Sequence, residues 1–151
     1  IGHEVWHRFG TATLRDRWRA TLPPSNPYLN VRGHVSIREG LHSDDDYEYD
    51  EESFVSAYAT VNIDEDFAET FEYLYDKPEW ALAHVAEGTP IGDKVLIAME
   101  VAERASAGAL NDAYFTALAI DYCRTSFVTV GPIHRWCETN YHLPKRAGET
   151  P

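Results

Sequence analysis

Three observations predict a mainly α fold for this chain of 151 residues. Apolar residues recur at helical spacing over several long stretches. Glycine and proline punctuate those stretches. Only one short run, residues 31–37 (Val31-Arg32-Gly33-His34-Val35-Ser36-Ile37), alternates like a strand. With 44% hydrophobic and 13% aromatic residues the chain can fill one core, and a single domain over residues 1–151 is expected.

The elements follow in order. From His3 to about Arg19 the apolar positions Val5, Phe9, Leu14 and Trp18 predict one helix that ends before Pro23-Pro24. Residues 23–56 are irregular, with a turn-rich PPSNP and the acidic run SDDDYEYDEES at 43–53, which reads as an exposed loop. Asn62 opens a helix to Asp76, in which Phe67, Phe71 and Leu74 form one core-facing stripe. Helices are then expected over Pro78–Val85, Gly92–Ala107 and Asn111–Cys123, with Gly88 and Gly108 between them. The stretch GPIHRWCETNYHLP reads as a short turn or helix before a polar tail, and neither an internal repeat nor a second domain is evident.

The net charge of -12 provides no basic footprint, so neither nucleic acid nor an anionic membrane surface is an expected partner. No apolar run approaches the roughly 20 residues that span a bilayer. Cys123 and Cys137 have no metal-binding spacing; they either close a disulfide between two C-terminal helices or remain buried thiols.

The chemistry begins at residues 3–7, His3-Glu4-Val5-Trp6-His7. Histidines at i and i+4 share a helix face and can reach one zinc ion, and the glutamate after the first can take a proton from water activated there. A catalytic zinc needs a third protein ligand. The longer pattern with a third histidine fails, because Thr13 stands at that position. Glu65 is the best candidate, on the stripe Glu65, Glu69, Glu72 and Asp76, and Glu69 one turn on is suited to accept the second ring N–H of a ligand histidine. The residues also admit a plainer reading. Asn62-Ile63-Asp64-Glu65 matches a capping box, and the stripe can be a solvated face.

The segment 56–71, from Ser56 to Phe71, resembles the second motif of gluzincin metallopeptidases related to the anthrax lethal factor catalytic domain and the Pro-Pro endopeptidases. That motif has the form YAxTNxxExFAExF and follows an HExxH helix, as it does here. The resemblance covers residues 2–10 and 56–73, and two motifs in one order are more specific than either alone. It implies a zincin-like peptidase domain of which this chain is the C-terminal helical part, with an HExxH helix, a glutamate-bearing second helix and a substrate-pairing sheet upstream of Ile1. It further implies Zn2+ held by His3, His7 and Glu65, Glu4 as general base, and Tyr58 as the donor to the oxyanion. The activity implied is endopeptidase cleavage of a protein or peptide, the missing N-terminal part of the domain being a second expected partner. Trp6 stands where the family usually has glycine and must find room. The competing expectation is a degenerate peptidase-like module that keeps the fold, with or without the metal, for binding or assembly.

Two further sets of side chains are candidate ligands. Asp44, Asp46, Glu48 and Asp50 alternate and could collect calcium, although a solvated loop is the favoured reading. His34, His42, His84, His134 and His142 read as surface or capping histidines.

Overall fold

A computed structural model describes residues 1–25, 28–29, 49–125 and 129–140. Among the described residues there are seven α-helices, one 3₁₀ turn and no strand, so the chain is mainly α as expected. The helices are α1 (Gly2–Phe9), α2 (Ala12–Ala20), α3 (Ile63–Asp76), α4 (Pro78–Glu87), α5 (Pro90–Ala105), α6 (Asp112–Cys123) and α7 (Gly131–Asn140), with the 3₁₀ turn at Tyr58–Thr60. The alternating run 31–37, most of the acidic loop, His34, His42, His142 and the polar tail lie outside the described residues.

The single helix expected from His3 to Arg19 is two helices. Gly10 leaves the helical region at φ -74, ψ 89 while its N–H still donates to the Trp6 carbonyl, and Thr11 starts α2 by accepting from Leu14 N–H at 3.3 Å. Glycine is needed at the break because of space. A Cβ there would lie 2.5 Å from the Trp6 carbonyl oxygen and 2.7 Å from its ring. The bend lets both tryptophans turn inward, their ring centroids 5.6 Å apart.

Asn62 caps α3 by accepting from the N–H groups of Asp64 and Glu65, each at 2.9 Å. Phe67 and Leu74 are fully buried and Phe71 nearly so, as the stripe predicts. Lys77 breaks the chain between α3 and α4, since the residue before a proline is driven out of the α region and Pro78 has no N–H to lose in the first turn. Thr89 caps α5 and Asn111 caps α6. Cys123 and Cys137 form a disulfide that ties α6 to α7, which decides between the two expectations for the cysteines.

The core is centred on α3 and α5. The first packs on α1, α4 and α5, and the second also receives α1 and α2. Trp6, Trp18, Phe54, Phe67 and Phe115 are its largest apolar side chains. On the far side, α4 packs on α6 and α7.

Two consequences can be measured. Gly10→Ala should lower unfolding stability by about 1–3 kcal/mol through overpacking against Trp6, read as a shift in chemical denaturation; an unshifted midpoint would contradict the close approach. His84, with Nδ1 2.8 Å from Thr89 Oγ1 and its ring edge-on to Trp80, is half-buried, and burial holds its pKa below 6.5 against the opposing pull of Glu87. A depressed pKa means that the unfolded chain binds the proton more readily, so this contribution is present above about pH 6.5 and is lost as pH falls through the folded value. The parent should therefore lose stability on acidification from about pH 7.5 to pH 5 more steeply than His84→Gln; parallel pH profiles would remove His84 as the cause.

Candidate functional site

The start of α1 lies directly on α3. A Cβ on Gly2 would come within 2.9 Å of Ala68 Cα, so the two backbones are as close as glycine allows. Ala68 is three residues after Glu65 and shares its helix face. This crossing brings together two residues that are 62 positions apart: His3 Nε2 donates to Glu65 Oε2 at 2.8 Å. Glu65 is 8% exposed, whereas the His3 side chain remains 42% exposed. The capping box is realised in its Asn62 half, while the Glu65 carboxylate turns to His3.

Trp6 finds its room in the core. Its ring is fully buried, stacked on Phe67 with centroids 4.3 Å apart and planes 15° apart. The Arg15 guanidinium lies 4.7 Å over the same ring, donates to the Gly10 carbonyl and pairs with Asp64 at 3.3 Å. Arg15 thus joins the break after α1 to the first turn of α3.

Of the other expected site residues, Glu4 and His7 are exposed on α1. Among the described residues no three His, Cys, Asp or Glu side chains are grouped so as to hold a metal ion. The structure therefore brings His3 to Glu65 but does not gather His7 with them. Two imidazoles on α1 and a carboxylate on α3 are nevertheless the ligand types of a catalytic zinc, and one imidazole touches the carboxylate.

Tyr58 is part-buried on the 3₁₀ turn that leads into the Asn62 cap. Glu69 has a contact that the sequence did not suggest: its Oε2 accepts from Ser56 Oγ at 2.8 Å, and that hydroxyl accepts from Ala59 N–H at 3.2 Å. Glu69 thereby holds the turn that carries Tyr58 against α3. Asp50, from the acidic run, accepts from Glu52 N–H and Ser53 Oγ and so shapes a local turn. His134 pairs with Glu138 one turn on along α7, a surface role of the kind expected.

A groove of roughly 770 Å³ opens beside the His3–Glu65 pair. Val5, Ala68, Phe71, Ala102 and Leu110 provide its apolar surface, and Glu65, Glu69, Glu72 and Asp76 line it along α3. The carboxylate stripe read from the sequence thus borders a concave surface.

Sequence reasoning missed Asp66 and Lys94. Both are fully buried and pair at 2.7 Å. Asp66 Oδ2 also accepts from Trp18 Nε1 at 2.9 Å and from the Tyr28 hydroxyl. Burial pushes Asp66 up and Lys94 down, toward their neutral forms, and their mutual attraction opposes both shifts. Burial and the neighbouring carboxylate raise the Tyr28 phenol, which stays protonated and donates. A signal was present: Asp66 adjoins Phe67 of the core stripe of α3, and Lys94 stands three residues after Ile91 and four before Ala98, at helical spacing with core positions.

Comparison of the chain with protein-family models, curated proteins and solved structures finds no match.

Proposed function

We propose that the chain is a zinc-dependent endopeptidase, with His3, His7 and Glu65 as metal ligands. The observation that carries this reading is the 2.8 Å contact between His3 and Glu65, which joins the helix of the HEVWH motif to the helix that follows Tyr58. When bound, zinc would supply Lewis acidity and lower the pKa of water toward neutrality. His7, one turn beyond His3 and exposed, would supply the third ligand alongside His3 and Glu65. Glu4 takes a proton from the attacking water and passes it to the leaving amine. Tyr58 donates a hydrogen bond to the oxyanion, and Glu69 steadies its turn through Ser56. The groove along α3 seats the peptide chain.

One observation favours the second reading, an interaction module without chemistry: Glu4 and His7 are exposed and are not gathered with Glu65. Metal content by mass spectrometry, read beside peptide-library hydrolysis, separates the two. The endopeptidase reading expects about one zinc per chain in the parent and in Glu4→Ala, and a marked loss in Glu65→Ala. Glu4→Ala should abolish hydrolysis. Tyr58→Phe should keep its zinc and lose turnover by about a hundredfold, the effect of removing one preorganised donor. A folded parent without zinc would leave the interaction module as the function.

A further inference from the structure

Asp66 and Lys94 are each 0% exposed, and the charge pair they form lies between α3 and α5. Asp66 collects its donors on one oxygen. Oδ2 accepts from Trp18 Nε1 on α2, from the Tyr28 hydroxyl and from Lys94 Nζ on α5, while Oδ1 is buried without a hydrogen-bond partner among the described residues. Lys94 is held in turn by the Ser53 carbonyl and by the face of Phe54, 4.0 Å from Nζ. One point on the circumference of α3 is therefore tied to three separate parts of the chain.

Stability does not account for such a pair. Desolvating two charges offsets most of their attraction, and apolar side chains of similar volume commonly make an equally stable or more stable protein. A hydrogen-bonded charge pair can instead select one register where an apolar contact would tolerate several. The register in question is the rotation of α3. Glu65 and Asp66 are successive residues, so their side chains leave the helix about 100° apart, one toward His3 and the other into the pair. Turning α3 by about 20° would move a carboxylate roughly 5 Å from the helix axis through about 2 Å. A metal–ligand bond tolerates only about 0.2 Å.

We propose that Asp66, held by Lys94, is a positioning residue for Glu65. It sets the rotation of α3 and with it the approach of Glu65 to His3 at which a divalent metal is held. This rests on the zinc reading of His3, His7 and Glu65.

The test is the double variant Asp66→Leu/Lys94→Met, which removes both charges at similar volume. Zinc affinity is measured by competition with a chromophoric chelator, and thermal unfolding is measured without metal. The double variant should bind zinc about 10–100-fold more weakly, as for loss of other supporting groups around a metal, and, because Trp18 Nε1–H, the Tyr28 hydroxyl and the Ser53 carbonyl lose their partner, it should also unfold at a somewhat lower temperature than the parent. Leu82→Ala, a core truncation on α4, should lower the unfolding temperature and leave zinc affinity within about twofold. A double variant that binds zinc like the parent overturns the proposal, and so does Leu82→Ala weakening zinc equally, since the effect would then be general loosening. If the double variant does not fold, Asp66→Asn takes its place: weaker zinc binding supports the proposal, and parental affinity overturns it. A folded parent that binds no zinc overturns the zinc reading and this proposal together. A parent that binds zinc beside an unaffected variant overturns this proposal alone.

Discussion

The close crossing of α1 on α3 is the constraint on which the rest of the structure depends. Gly2 lies against Ala68, and one turn further along α1 the Trp6 ring stacks on Phe67, so two points fix the relation of the helices. Two contacts on one short helix leave it little freedom to slide or roll. His3 lies between them in sequence, and its contact with Glu65 needs both that placement of α1 and the rotation of α3 about its own axis. A side chain at position 2 would separate the backbones, and the contact would open before any ligand chemistry was touched.

Aromatic burial supplies the energy for this crossing. Trp6, Trp18 and Phe67 are each 0% exposed and their rings touch one another, with centroids 4.3–5.6 Å apart. Each buried ring stabilises by about 1.5–3 kcal/mol, and each favourable ring pair adds about 0.5–1.5 kcal/mol. The surface ion pairs, such as Arg17–Glu100 and Arg135–Glu87, are largely solvated and contribute about 0–1 kcal/mol each. The aromatic row therefore outweighs them. Asp66 and Lys94 lie against the same row, with Lys94 Nζ 5.7 Å over the Trp18 ring, so the buried charge and the aromatic core share one environment.

Much of the fold could be read from local chemistry. Asn62 and Asn111 cap the helices that the sequence begins at them, Pro78 opens a first turn, and Phe67, Phe71 and Leu74 face the core, whereas α5 starts at Pro90 under a Thr89 cap, ahead of the expected Gly92. The break at Gly10-Thr11 is hidden in the sequence because Val5, Phe9, Leu14 and Trp18 keep an almost continuous helical rhythm across it. What ends α1 is the Trp6 side chain folding over Gly10, a contact that periodicity does not encode. In the sequence Trp6 reads as an intrusion beside a ligand histidine. In the fold it is part of the core, because the partner that accepts it, Phe67, lies far along the chain.

By itself the sequence determined the helical class, the Asn62 cap, the core stripe of α3, the placement of His3, Glu4 and His7 on one helix, and the placement of Glu65 at the start of another. These follow from interactions within about four residues, where backbone geometry leaves few choices. Only the tertiary structure decided that Glu65 turns to His3 rather than back to its own cap, that Glu69 holds the Tyr58 turn, that the cysteines pair, and that Asp66 finds Lys94. Apart from the cysteines, each of these is a polar side chain with more than one candidate partner in the sequence. In each, the winner is the partner that helix packing brings within reach, and that distance is a property of the folded chain as a whole.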